Sequence, residues 1–236
     1  MPDVMIGAAD GSGSFAAYCA TPAASGPGIV VVQEIFGVTQ NLRRVADDLS
    51  QAGYVALVPD LFWRLQPGVD LGGYTDVERD QGLDYLRRLD DARALDDLRS
   101  AIAYLQAMPQ CTGPVGAVGF CLGGRLVFLL IQDSDIACGV GYYPSDVHHT
   151  LGDPSRITKP LMIHVGTEDH AVPREAQEIL RKISGDNRAV TMHSYEGVGH
   201  AFARRDSPPY RLEAATLANE RTARFFTEHL LTPVAG

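Results

Sequence analysis

The run Gly28 to Gln33, Gly-Ile-Val-Val-Val-Gln, is continuously apolar and β-branched with no alternation, which predicts a strand buried on both faces. From Asn41 to Ala52 the apolar residues Leu42, Val45, Ala46 and Leu49 recur at helical spacing, and Gly53 closes the segment. Tyr54 to Val58 reads as the next strand, ended by Pro59-Asp60. The Pro- and Gly-containing stretch from Leu65 to Thr75 predicts an excursion. Two helical segments follow, Asp76–Leu89 and Asp90–Ala107. Apolar runs return at Val115–Val118, Ile136–Tyr143, Pro160–Val165 and Ala189–Tyr195. Between and after them lie an apolar helical segment from Leu126, a helix from Pro173 to Ile183 and a final helix from Tyr210 to Leu230. Strands alternating with helices, with no internal repeat and no convincing linker, predict an α/β fold: one domain over residues 1–236, its mostly parallel central sheet covered by helices on both faces. In such sheets ligands sit beyond the carboxyl ends of the strands.

Composition changes this picture only by exclusion. The chain is 45% hydrophobic and 21% charged, an ordinary globular balance, and its net charge of −9 argues against a nucleic-acid or anionic-membrane partner. No apolar run approaches the ~20 residues of a membrane span, and the start, Met1-Pro2-Asp3-Val4-Met5, has no secretory pattern. Cys19, Cys111, Cys121 and Cys138 are scattered without CxxC or CxxH spacing, so neither a metal site nor a disulfide framework is expected. A cytoplasmic protein without metal or cofactor, a monomer or weak homo-oligomer, is the expectation.

The most informative stretch is Gly119-Phe120-Cys121-Leu122-Gly123, set between an apolar strand and an apolar helix. This is the context of a nucleophile elbow, with a thiol in place of the usual hydroxyl. Flanking glycines let strand and helix meet around a strained central residue, and the helix N-terminus favours a thiolate. Such a nucleophile needs an imidazole to take its proton and a carboxylate to orient the imidazole. Asp169 follows the strand that ends at Val165-Gly166, and His200 follows the strand that ends at Tyr195. Cys121, Asp169 and His200 thus stand at three strand ends in the nucleophile–acid–base order of the α/β-hydrolase fold. Glu168 competes with Asp169 for the acid. His164 and His193 fall within strands and read as packed residues, whereas His200 sits between glycine-rich loop residues.

Glu34 directly follows the first buried strand, where such folds place an oxyanion-donating amide, here that of Ile35 beside that of Leu122. Position alone leaves Glu34 either a loop charge or a group that interacts with the nucleophile.

With these residues in view, the chain resembles the dienelactone hydrolase (carboxymethylenebutenolidase) family. The resemblance rests on Gln33-Glu34-Ile35-Phe36-Gly37-Val38, Gly53-Tyr54 through Pro59-Asp60-Leu61-Phe62, Val118 to Gly124, Gly141-Tyr142-Tyr143, His200-Ala201-Phe202-Ala203-Arg204 and Leu217 to Thr222. It implies hydrolysis of a small enol-lactone carrying a carboxylate, dienelactone to maleylacetate, in the breakdown of chlorinated or hydroxylated aromatics. It implies a Cys-His-Asp triad with an acyl-enzyme, and a Glu34 that pairs with the cysteine until substrate swings it away. It also places Arg79 and Arg204 as anchors for the substrate carboxylate, a role to which a guanidinium fork is suited; Arg205 is a local competitor of Arg204. The chain departs from the pattern at Leu83 and Leu86, where aromatic residues are expected, and at Trp63 and Gly72-Gly73-Tyr74, all expected near the pocket lining. A broader carboxylesterase or thioesterase with the same triad, and a non-catalytic ligand-binding relative, are the competing readings.

Overall fold

A computed structural model describes residues 4–73 and 75–231. The chain divides into two compact units, Met1–Val115 and Gly116–Gly236, on an eight-stranded, mostly parallel sheet. The first unit begins with β1 (Val4–Gly7) and β2 (Ser14–Ala20), an antiparallel pair. Then come β3 (Gly26–Val32), α1 (Gln40–Gln51), β4 (Val55–Pro59), α2 (Asp76–Arg88) and α3 (Asp91–Ala107). Its strands run in the order β1-β2-β4-β3, with β2–β4 antiparallel and β3–β4 parallel. β5 (Cys111–Phe120) leads into the second unit, where α4 (Leu122–Leu130), β6 (Gly139–Tyr142), β7 (Leu161–Gly166), α5 (Arg174–Asp186), β8 (Val190–Tyr195) and α6 (Leu212–Phe226) follow. There the order is β5-β6-β7-β8, each pair parallel.

Local chemistry sets these limits. Thr75 caps α2 with a reciprocal box: its hydroxyl accepts from the Glu78 amide, and the Glu78 carboxylate accepts from the Thr75 amide. Asp90 caps α3 by accepting from the amides of Ala92 and Arg93. Every residue of β3, β4, β6 and β7 is buried, as strands covered on both faces require. β8 is buried only at its ends, Val190 and Tyr195, with half-buried or exposed residues between. Among the described residues no helix is long and apolar enough to cross a membrane.

Three features differ from the sequence expectation. The strand expected from Ile136 starts at Gly139, and the last helix ends at Phe226 and passes into a π turn over Thr227–Leu231. The strands β1 and β2 were not anticipated; β2 buries Phe15, Ala17 and Cys19 at alternate positions and then Ala20, with half-buried Ala16 and Tyr18 between, a short pattern beside the continuous apolar run of β3. The excursion after Phe62 is tied down: the Val38 amide donates to the Val69 carbonyl at 3.0 Å, and the Leu71 amide to that of Phe36 at 2.9 Å.

A polar network lies within the second unit between the sheet and α6. The His164 ring, fully buried, meets the Tyr195 hydroxyl at 2.8 Å through Nδ1 and the Thr222 hydroxyl at 3.1 Å through Nε2. Tyr142 donates to Asn219 at 2.9 Å and shares a 2.7 Å bond with Thr222. Burial, with the neighbouring His193 and Arg221 charges, holds His164 well below the usual imidazole range. His193, stacked at 5.6 Å, is lowered in lesser degree by burial and the Arg221 charge.

A ring whose folded pKa is depressed binds fewer protons folded than unfolded, so stability is present above about pH 6.5 and is lost as pH falls below it. Thermal melts from pH 6.5 to pH 5 should therefore fall, at up to about 1.4 kcal/mol per pH unit for one such group, or about 2–4 °C per kcal/mol in Tm. His164→Gln should melt lower at pH 8, because packing and hydrogen bonds are lost, and show a shallower acid slope. An unchanged slope would assign the acid sensitivity elsewhere.

Candidate active site

Cys121 caps α4 with φ 55° and ψ −114°, left-handed values that few non-glycine residues adopt. The close approach of main chain forces this conformation. A Cβ on Gly119 would lie 2.0 Å from the Gly123 carbonyl oxygen, and one on Gly124 would lie 2.6 Å from that of Tyr142. The Cys121 amide donates to the Tyr142 carbonyl at 3.0 Å, and its carbonyl accepts from Arg125 at 3.2 Å and Ser145 at 3.3 Å. Leu122 is the first residue of α4, so its amide has no carbonyl of its own helix to bind and stands with the positive end of the helix dipole.

Asp169 lies in the loop after β7, 3% exposed. Its Oδ1 accepts from the Ala171 amide at 2.8 Å and the Val172 amide at 3.1 Å. Both carboxylate oxygens lie 2.9 Å from Nδ1 of His200. Glu168, the competing acid, is exposed. The acid and base loops are joined by main chain: Thr167 donates to the Tyr195 carbonyl at 2.9 Å and Glu168 to that of Val198 at 3.0 Å. The Gly197 amide donates to the Thr167 hydroxyl at 3.0 Å. Gly166 has no room for a side chain, since a Cβ there would lie 2.2 Å from the Val198 carbonyl oxygen.

The His200 ring hydrogen-bonds Cys121 as well as Asp169. Tyr143 packs edge-on against it at 5.0 Å between centroids, and Tyr143 in turn packs on Phe202 at 5.5 Å. His170 meets the ring at 5.7 Å on another side. Burial pulls the imidazole pKa down, but the adjoining Cys121 charge and the Asp169 carboxylate overcome this and hold it well above the ordinary histidine range. The arrangement favours the imidazolium form of His200. By contrast, Cys138, buried against no counter-charge, is pushed up to about 12.

The other expected residues are placed as follows. Arg204 is 5% exposed in the loop after His200, whereas Arg205 is exposed. In the first unit, Glu34 is 2% exposed just past β3 and Ile35 is 7% exposed. The Gln33 side chain braces this loop by accepting from the Leu61 amide at 3.0 Å and donating to the Glu34 carbonyl at 3.4 Å. α2 presses on it as well, since a Cβ on Gly82 would lie 2.7 Å from the Ile35 carbonyl oxygen. Arg79, on α2, is exposed and paired with Asp76 at 3.1 Å. Trp63, expected near the pocket lining, has a structural engagement: its indole donates to buried Asp97 at 2.7 Å, and Arg64 stacks over its ring.

Sequence reasoning missed the loop after β6. Ser145, 4% exposed, places its hydroxyl 3.6 Å from the Cys121 sulfur. The signal was present: a polar loop follows a buried strand at the sheet end where Cys121, Asp169 and His200 gather.

The parallel sheet, the strained elbow and the joined acid and base loops define an α/β hydrolase, and solved structures of such hydrolases share the fold. One, a Klebsiella pneumoniae protein described as a dienelactone hydrolase, superimposes with a TM-score of 0.84 over 96% of this chain and 98% of that one, at 23% identity. The chain belongs to the dienelactone hydrolase family, whose sequence profile matches residues 15–230. Carboxymethylenebutenolidase 1 of Cupriavidus pinatubonensis is 40% identical over 211 residues, covering 89% of this chain and 90% of its own. A carboxymethylenebutenolidase of a Pseudomonas species is 38% identical over 217 residues, covering 91% and 90%.

Asp169→Asn should leave the fold intact and lower turnover by about 10²–10⁴-fold, because a neutral amide neither fixes the ring tautomer nor stabilises the imidazolium. The His200 titration, followed by ring-proton NMR, should move to lower pH. A titration unchanged from the native protein would show that Asp169 does not set the charge of the ring.

Proposed function

We propose that the protein hydrolyses a small enol-lactone bearing a carboxylate, of the dienelactone type, in the cytoplasm, through an acyl-enzyme on Cys121. The observation that carries this reading is the Asp169–His200 pair, hydrogen-bonded at 2.9 Å, with its ring against Cys121 on a strained helix N-terminus. Membership of the dienelactone hydrolase family supports the choice of substrate class.

The thiolate sulfur attacks the lactone carbonyl carbon. A C–S bond forms, and the carbonyl π pair moves to oxygen, where the amides of Leu122 and Ile35 are the proposed donors. Collapse breaks the ring C–O bond, and the released enolate takes a proton from the His200 imidazolium and passes to the keto acid. The freed imidazole then takes a proton from water as the water oxygen attacks the thioester carbonyl. Loss of thiolate from that adduct gives the second carboxylic acid and restores the thiolate–imidazolium pair. No oxidant, metal or cofactor enters the balance. Arg204, buried beside the base, is the proposed anchor of the substrate carboxylate, and Arg79 is a second one implied by the family pattern. Glu34, held in a braced loop, is the proposed partner of the resting sulfur, a carboxylate that disfavours a second negative charge until substrate displaces it.

Steady-state rates on dienelactone isomers and on simple aryl esters should favour the lactone, and Cys121→Ala should abolish turnover without changing the melt. Glu34→Gln in the same assay should be slower than the native enzyme. Full turnover in Cys121→Ala would remove the acyl-enzyme, and equal rates on uncharged esters would favour the broader esterase.

Arg204→Gln should lose about ten- to hundredfold in kcat/KM on the carboxylate-bearing lactone, the size of a charge-assisted hydrogen bond. The loss should shrink on an uncharged ester of similar size. Equal losses on both would make Arg204 a structural residue.

A further inference from the structure

The loop after β6 grips Cys121 at three points. The Tyr142 carbonyl accepts from its amide, the Ser145 amide donates to its carbonyl, and the Ser145 hydroxyl reaches its sulfur at 3.6 Å. The loop has little freedom. Tyr143 sits at φ 38° and Asp146 at φ 54°, with Pro144 between them and the fixed φ of its ring. The Tyr143 amide donates to the His164 carbonyl at 2.7 Å and the Asp146 amide to the Ala171 carbonyl at 3.3 Å. A Cβ on Gly124 would lie 3.2 Å from the Pro144 Cα, so the first turn of α4 also presses on this loop. Ser145 is 4% exposed.

We infer that Ser145 is a positioning residue for the reaction, whose hydroxyl holds the Cys121 sulfur in place and favours its thiolate form. The inference rests on Cys121 being the nucleophile. A hydroxyl rotor can accept from an S–H and, after rotation, donate to S⁻. It therefore keeps one contact with the sulfur while the thiol proton moves between Cys121 and His200. A hydrogen bond to a charged acceptor is stronger than one to its neutral form, so the hydroxyl lowers the pH at which the thiolate forms. Asp169 and His200 act on the same sulfur from the loops after β7 and β8, Glu34 is its proposed resting partner, and His170 faces the His200 ring. None of these contacts supplies a neutral donor that can follow the charge.

The test is the pH dependence of iodoacetamide labelling, with mass spectrometry to locate the label and the thiolate absorbance as a second readout. Ser145→Ala should shift the labelling midpoint upward by about one pH unit and lower kcat/KM by about tenfold, with KM nearly unchanged. Ser145→Thr and Ser145→Val, matched in shape, isolate the hydroxyl should the smaller variant alter the melt: Thr should keep the native midpoint and Val should not. An unchanged midpoint in Ser145→Ala, or equal midpoints in Thr and Val, overturns the inference even where activity falls. Cys121→Ala separates the two readings. Turnover that persists in it overturns the proposed nucleophile, whereas a silent Cys121→Ala beside a native labelling profile in Ser145→Ala overturns the Ser145 role alone.

Discussion

The backbone of Cys121, at φ 55° and ψ −114°, is the constraint on which the geometry of the candidate site depends. A non-glycine residue held there costs on the order of 1–3 kcal/mol and persists only where its surroundings determine it fully. Those surroundings are main chain: the carbonyl oxygens of Gly123 and Tyr142 stand where a Cβ on Gly119 or Gly124 would lie. α4 cannot relax outward to relieve the strain, because Leu122, Leu126, Val127, Phe128 and Leu130 are all buried. The apolar face of one helix therefore holds a sulfur at its own N-terminus, where the first amides and the dipole favour negative charge.

The histidines of the second unit show how environment assigns a role to the same ring. His164 and His200 are both withdrawn from water. His164 is surrounded by hydroxyls and by the positive influence of His193 and Arg221, so it stays neutral and acts as a packed hydrogen-bonding group. His200 faces a carboxylate and a thiol, and is held in the charged form. The difference lies in anchoring. Asp169 is fixed by two backbone amides before it meets the ring, so its charge is already solvated by the protein, and placing it costs little reorganisation during reaction.

Much of this was legible in the residues. β3, the elbow strand and β7 carry strong apolar runs, and Cys121, Asp169 and His200 were placed by the strand ends they follow, that of the mixed β8 included. The sequence favoured Asp169 over Glu168 from its place ahead of Pro173, and the Ala171 and Val172 amides are what hold that carboxylate inward. It could not distinguish Arg204 from Arg205, which differ in burial alone. Ser145 escaped because a serine in a polar loop has no periodicity, and its contact with the sulfur arises only when β5 and β6 pair in register, Phe120 opposite Tyr142. β1 and β2 escaped because the buried alternation of Phe15, Ala17 and Cys19 is short and interrupted by half-buried Ala16 and Tyr18.

The residues by which this chain departs from the family pattern are gathered in the first unit, and the contacts there limit what they can change. Trp63 is tied to Asp97 and Arg64, and Gly13 packs so near that a Cβ would lie 3.2 Å from the indole. Its large side chain therefore braces the start of the excursion and is not free to follow a ligand. Gly72 is different, because its amide donates to the Glu78 carboxylate at 2.9 Å, the same group that completes the α2 cap. One carboxylate thus joins the divergent glycine segment to the first turn of the helix that carries Arg79. The contacts of Trp63 and Gly72 thus close within the first unit, while the main-chain contacts of Cys121, Asp169 and His200 close within the second.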